Sequence, residues 1–224
     1  MCGITGFISS NWVLNDLQKM TRKLKHRGPD AEGFYSNTEQ DIFLGHRRLS
    51  ILDLSDAANQ PFYSNDNRYV MVYNGEVFNY QEIAAKYAIQ TKTTSDTEVI
   101  IELFAKIGVD AFQEFNGMFA IAIWDTLEEK LTLVRDRFGI KPLCYYDGPN
   151  GFAFASELKA IIELPIPRLI NTEALADYLF LEYIPKPNTI FQNIKKLTNG
   201  CYLEVTNKVN VKIKSFYDIR DKYN

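Results

Sequence analysis

Apolar residues follow two spacings along this chain, and the changes between them mark its elements. Short apolar runs with strand character cover Gly3 to Ser9, Asp41 to Arg47 and Tyr69 to Tyr73, the last ending at Asn74-Gly75, where glycine permits a turn. Leu14, Leu17, Met20 and Leu24 recur at helical spacing and predict a helix that ends before the polar turn His26-Arg27-Gly28-Pro29-Asp30. Ser95-Asp96-Thr97-Glu98 has the form of a capping box, with Ser95 as N-cap and Glu98 reaching back. The apolar face Val99, Ile100, Leu103 and Phe104 carries that helix to about Ile107. Met118 to Asp125 and Leu131 to Arg135 read as a hairpin, followed by strands at Leu143 to Tyr146 and Phe152 to Ala155. Met118, Phe119, Ile121 and Ile123 are expected in the core.

Glu157 to Glu163 and Glu173 to Leu181 read as helices, and Pro165, Pro167, Pro185 and Pro187 punctuate the region around and beyond them. We place a boundary near Pro165, giving a domain over 1–164 and a linker over 165–224. Strands interspersed with helices predict an α+β layered fold, because the regular strand–helix alternation of a parallel sheet is missing.

Composition narrows the function classes. A chain of 224 residues, 46% hydrophobic, can bury a sizeable core. A net charge of -3 without a basic block gives no footprint for nucleic acid or an anionic membrane. No basic flank precedes a long apolar run, so the expectation is a cytoplasmic protein with neither signal peptide nor membrane span. Three cysteines without a CxxC pair and only two histidines, His26 and His46, offer no convincing metal site, and all but Cys2 are expected to be structural. Neither GxxxxGK[ST] nor GxGxxG occurs, so no phosphate-binding loop is visible and no cofactor is expected in this chain.

The candidate chemistry lies in MCGITGF at the start of the chain. If Met1 is removed, Cys2 carries a thiol and a free α-amine on one residue. An ordinary α-amine titrates near about 8, close enough to neutrality to take the thiol proton. An N-terminal nucleophile thereby supplies its own base. Taken singly, an early cysteine can simply pack, Arg48 can be a solvated charge, Asp96 a helix-start carboxylate and Asn74-Gly75 a plain turn.

Read together, MCGITGF, HRGPD, HRRLSILD, YNGEVFN, SDTEV, FNGMFAIAIWD, RDRFGIKPL and ASELKAI follow in order over residues 1–161. This series resembles the glutaminase domain of the glutamine-dependent asparagine synthetases, a class II glutamine amidotransferase. The resemblance implies an N-terminal-nucleophile hydrolase fold, an αββα sandwich of two antiparallel sheets between helical layers. It implies Cys2 as nucleophile, with the Asn74 side-chain amide and the Gly75 backbone N–H as oxyanion donors. Arg48 would hold the glutamine α-carboxylate, Glu76 and Asp96 the α-amino end, and Leu49, Ser50, Ile51 and Leu52 would line the pocket. Arg27 and Asp30 would shape it.

The same resemblance implies L-glutamine as substrate and a synthetase domain or subunit as partner, with aspartate as the default ammonia acceptor and a sugar or other carboxylate as the alternative. ATP and magnesium would act there, because the SGGxDS loop of that half is not in this sequence. Residues 165–224, with NTIFQNIKKLTNGCYLEV and SFYDI, resemble the linker toward it. Phe138, Ile140 and Leu143 are expected on the docking face. A non-catalytic remnant or interaction module is the competing reading, and a homo-oligomer is compatible with either.

Overall fold

The computed structural model describes residues 1–50, 59–206 and 210–222. Its strands are β1 (Gly3–Ile8), β2 (Ala31–Asn37), β3 (Ile42–Arg48), β4 (Phe62–Tyr63), β5 (Tyr69–Val77), β6 (Gly117–Asp125), β7 (Lys130–Arg135), β8 (Cys144–Gly148), β9 (Gly151–Ala155), β10 (Ile194–Lys196), β11 (Cys201–Thr206) and β12 (Asn210–Ser215). Its helices are α1 (Leu14–Arg22), α2 (Tyr80–Tyr87), α3 (Asp96–Ile107), α4 (Ala111–Glu114), α5 (Leu158–Ile161) and α6 (Thr172–Leu181). The strands form two six-stranded antiparallel sheets, ordered β10-β8-β9-β1-β3-β2 and β12-β11-β7-β6-β5-β4.

Side-chain alternation explains the layering. Ile4 and Ile8 of β1, Ile42 and Leu44 of β3, and Val70 and Val72 of β5 all lie in one buried cluster between the sheets. The intervening Phe7 and Phe43 pack instead with Leu17 and Met20 of α1 and Ile161 of α5. Tyr69, Met71 and Tyr73 pack with Val99, Leu103 and Phe104 of α3. A strand whose both faces are covered needs apolar residues on both, so it reads as a continuous apolar run rather than an alternating one. The order helix, sheet, sheet, helix is the expected αββα sandwich.

Several elements differ from expectation, each for a physical reason. β5 does not turn at Asn74-Gly75 but continues to Val77, with Asn74 opposite Ala120 and Gly75 opposite Phe119. Gly75 is required by close approach: a Cβ there would lie 2.3 Å from the Met118 carbonyl oxygen. β2 and α2 carry no clear apolar period. β2 is the sheet edge, and its residues are half-buried or exposed. Ser95 does cap α3, accepting from the Thr97 N–H at 3.2 Å. Glu98 does not reach back to it; its carboxylate accepts the Lys92 and Thr93 N–H groups and the Thr93 hydroxyl. The 165–224 stretch, read as a linker, supplies β10 to one sheet and β11 and β12 to the other, with Leu203 and Val205 fully buried.

Among the described residues, no helix is long and apolar enough to cross a membrane.

Candidate active site

The inner-face alternation of three strands converges at one end of the sandwich. Cys2 directly precedes β1 and continues the series Ile4 and Ile8. Arg48 ends the series Ile42, Leu44 and His46 of β3, and Asn74 extends Val70 and Val72 of β5. Because β1 and β3 pair with Gly3 opposite Arg47, Cys2 falls beside Arg48. His46 ties the sheets together behind them. Burial holds its imidazole down to about 3, so it is neutral, and Nε2–H donates to the Tyr73 carbonyl at 3.1 Å.

Cys2, Arg48, Leu49, Asn74, Gly75, Glu76 and Asp96 line one cavity of about 180 Å³. The Cys2 thiol is half-buried; the Leu49 N–H donates to its Sγ at 3.4 Å, and Sγ–H lies 3.7 Å from the Leu49 carbonyl. Ser50 stands outside the lining, its N–H donating to Asp30 Oδ2 at 2.8 Å, while the Asp30 N–H donates to the Arg48 carbonyl at 3.1 Å. Asp30 therefore shapes the turn after β3 that carries Leu49. Ile51 and Leu52 lie outside the described residues.

Gly28 closes this corner, since a Cβ there would sit 2.4 Å from the Arg47 backbone carbon. The Arg48 guanidinium donates to Asn59 Oδ1 at 2.7 Å.

Asn74 is the most telling group. It is 1% exposed, and neither its side-chain oxygen nor its nitrogen has a hydrogen-bond partner among the described residues. A buried amide left unpaired costs about 1–3 kcal/mol, so folding alone gives no reason to keep it. Asp96 is held differently: Oδ2 accepts the Tyr73 hydroxyl at 2.7 Å and the Val77 N–H at 2.9 Å. Burial nonetheless raises its carboxyl above the usual range, with Glu76 nearby adding to the effect. Burial also raises the Tyr73 phenol well above its ordinary value, with Asp96 contributing.

Gln60, Tyr73, Met118 and Lys141 also line the cavity, as do Met1, Ser95 and Thr97, and none of these was foreseen as a site residue. Gln60 Oε1 accepts the Tyr73 N–H at 2.6 Å. Met118, expected in the core, is half-buried at the cavity instead.

Lys141 arrives on the RDRFGIKPL loop, which is fixed from within. The Asp136 carboxylate is fully buried and accepts the N–H groups of Phe119, Phe138, Ile140 and Lys141 at 2.9–3.2 Å. Arg135 donates to the carbonyls of Gly139, Lys141 and Leu197, each at 2.8 Å. The loop thus turns Phe138 and Ile140 outward and Lys141 inward, to 5% exposure. Burial lowers the Lys141 ammonium below its ordinary range, and the Arg27 guanidinium adds to this. Tyr73 and Lys141 sit inside motifs visible in the sequence, but no local period says which way their side chains point.

The cavity therefore gathers a thiol, an unpartnered amide, two cations and two carboxylates. That set can receive a zwitterionic amino acid and present its far end to sulfur.

Comparison with known proteins places the chain among relatives. The profile of the glutamine amidotransferase domain family matches residues 1–217. A candidate glutamine-hydrolysing asparagine synthetase of Methanocaldococcus jannaschii is 41% identical over 218 residues, covering 88% of this chain and 42% of its own length. Asparagine synthetase [glutamine-hydrolyzing] 2 of Bacillus subtilis is 39% identical over 236 residues, covering 99% of this chain and 31% of its own length. The chain thus spans well under half the length of these relatives. The solved structure of glutamine phosphoribosylpyrophosphate amidotransferase from B. subtilis superposes with a TM-score of 0.70 at 17% identity, over 96% of this chain and 49% of that one, which shows a shared fold.

Proposed function

The chain belongs to the glutamine amidotransferase domain family, and from that premise we infer that it hydrolyses the side-chain amide of L-glutamine at Cys2 and delivers ammonia to a synthetase region. The observation that carries this reading is the unpartnered, buried Asn74 amide in the same cavity as the Cys2 thiol. A non-catalytic remnant would have no use for it.

Removal of Met1 frees the α-amine of Cys2. The Cys2 proton passes to that amine as sulfur attacks the amide carbon, and the oxyanion that forms is met by the Asn74 side chain and the Gly75 N–H. The amine returns the proton to the leaving nitrogen, the carbon–nitrogen bond breaks and ammonia departs. Water then opens the γ-glutamyl thioester, releasing glutamate and restoring the thiol. Arg48 takes the α-carboxylate with its guanidinium fork, and Glu76 and Asp96 take the α-ammonium.

In the present chain the Met1 amine is already held below its ordinary value by burial, with Arg27 and Lys141 adding to the effect. The same two cations would flank the Cys2 amine and favour its uncharged, basic form.

The purified chain, incubated with glutamine, aspartate, ATP and magnesium, should yield glutamate without AMP, pyrophosphate or asparagine. ATP and magnesium belong to the synthetase region in this reading. A preparation shown by intact mass to lack Met1 that forms no glutamate would overturn it. Full activity in molecules that all retain Met1 would overturn the terminal-amine step.

The synthetase region would dock on a face left apolar in this chain. Tyr178, Leu179, Phe180 and Tyr183 on and after α6 are 50–86% exposed, and Phe138 and Ile140 are 64% and 58% exposed. The Lys186 ammonium contacts Asn199, whose amide donates to the Arg137 carbonyl at 2.8 Å, so the segment after α6 is tied to the loop that carries Phe138 and Ile140. Leu143 does not share this face: it is 1% exposed, in the core between the sheets. An apolar area of this kind on a soluble chain marks an interaction site. Replacing Leu179 and Phe180 by serine should leave glutamine hydrolysis within about twofold while abolishing asparagine formation from glutamine with an added synthetase chain. Unimpaired asparagine formation would place the interface elsewhere.

A further inference from the structure

Cys2 is also held through its backbone carbonyl, by residues that do not line the cavity. The Arg27 Nε–H donates to the Cys2 carbonyl oxygen at 2.9 Å, and Arg27 Nη1 donates to Glu157 Oε1 at 2.8 Å. Glu157 comes from the opposite flank. It follows β9, which pairs with β1, and the neighbouring Ser156 is bonded to Ile4 through both its N–H and its hydroxyl. The loop after α1 and the end of β9 therefore meet beneath the first residues of the chain.

Two cations and an imidazole converge on the Glu157 carboxylate: Arg27 at 2.8 Å, Lys159 at 3.1 Å and His26 at 3.0 Å. Burial opposes ionisation there, but the hydrogen bonds from Arg27, His26 and Lys159 prevail and hold the carboxyl down to about 2. Of the three, only Arg27 touches Cys2. Its side chain is 8% exposed, against 49% for His26 and 48% for Lys159.

We propose that Glu157 is a positioning residue for the nucleophile: it clamps the Arg27 guanidinium so that Arg27 holds the Cys2 peptide plane and aims the thiol at the cavity. This rests on the proposed glutamine hydrolysis at Cys2. Once Met1 is gone, Cys2 is a chain end joined through one peptide bond to Gly3, which is the first residue of β1 paired with β3. The orientation of its thiol and amine then depends on what holds its carbonyl. A misplacement of about 1 Å at a reacting atom can cost on the order of 100-fold in rate.

The test begins with the Met1-free wild-type chain, whose glutamine turnover must be measurable; its absence would be a failure of the functional reading and not of this one. Glu157→Gln keeps the side-chain volume and loses the charge. It should lower kcat about 10- to 100-fold with KM for glutamine within about twofold, because the pocket for the α-carboxylate and α-amine is untouched. Rates are normalised to sites titrated with a γ-diazoketone analogue of glutamine, and folding is followed by circular dichroism. His26→Gln and Lys159→Gln, which also lose a contact to Glu157, should change kcat by less than about twofold.

The decisive measurement is a double-mutant cycle. If Glu157 acts through Arg27, the pair Glu157→Gln with Arg27→Gln should be no slower than Arg27→Gln alone. Multiplicative losses, a wild-type kcat in Glu157→Gln, or a loss confined to KM would each overturn the proposal. Should Glu157→Gln fail to fold, Glu157→Asp, whose carboxylate falls one methylene short of Arg27, must show the same loss in kcat, and a wild-type rate in it would overturn the proposal equally.

Discussion

Cys2→Ala is expected to lower glutamine hydrolysis by on the order of a thousandfold or more, since the substitution removes the atom that forms the covalent intermediate and not a group that assists it. The fold should survive. Among the described residues Sγ makes two long contacts, at 3.4 and 3.7 Å, to the backbone of Leu49, and the β1 register does not depend on them. Unfolding temperature within a few degrees of wild type, measured beside the assay, separates a chemical loss from a structural one.

Cys144 and Cys201 supply the contrast. Burial pushes the Cys144 thiol up to about 11, so it is protonated at neutral pH and a poor nucleophile, and burial also raises Cys201. Alanine at either position should retain turnover. The γ-diazoketone analogue should label Cys2 alone. Appreciable turnover by Cys2→Ala, or labelling that persists in it, would remove Cys2 from the mechanism.

Asn74→Ala carries the second large effect and an unusual signature. Loss of one oxyanion donor costs on the order of 100- to 1000-fold in kcat, with little change in KM because the bond strengthens only as charge develops. Stability should move the other way or not at all. Most core truncations destabilise, but here the deleted amide is 1% exposed with both polar atoms unpaired among the described residues, so its removal relieves a desolvation penalty of about 1–3 kcal/mol. A slower enzyme with an equal or higher unfolding temperature is the expected outcome.

Arg48→Ala should differ by chiefly raising KM, since the guanidinium holds the α-carboxylate in both ground and transition states. If Asn74→Ala raised KM and Arg48→Ala lowered kcat, the two assignments would have to be exchanged.

How much of this was legible beforehand follows from the range of the interactions involved. The sequence by itself determined the strands that are apolar on both faces, the helix capped by Ser95 and the β6–β7 hairpin, because periodicity, capping and turn chemistry act within a few residues. It also placed Cys2 just before the strand Gly3 to Ser9 and Asn74 at the end of the strand Tyr69 to Tyr73. The ordered motifs named the family.

Tertiary structure put Cys2 and Asn74 on the inner faces of the two sheets and brought them to one cavity. It carried β5 past Gly75, because the close approach of the Met118 carbonyl, and not a turn, excludes a side chain there. It completed both sheets with strands from beyond residue 164, whose burial depends on partners such as β7 and β8 far back in the chain. It turned Lys141 into the cavity through hydrogen bonds from its loop to Asp136, and set Glu157 against Arg27 across 130 residues of sequence. The physical reason is the same in each case. Local spacing fixes the face on which a side chain stands, whereas the group that meets it is set by how two sheets and their helices close over a shared core.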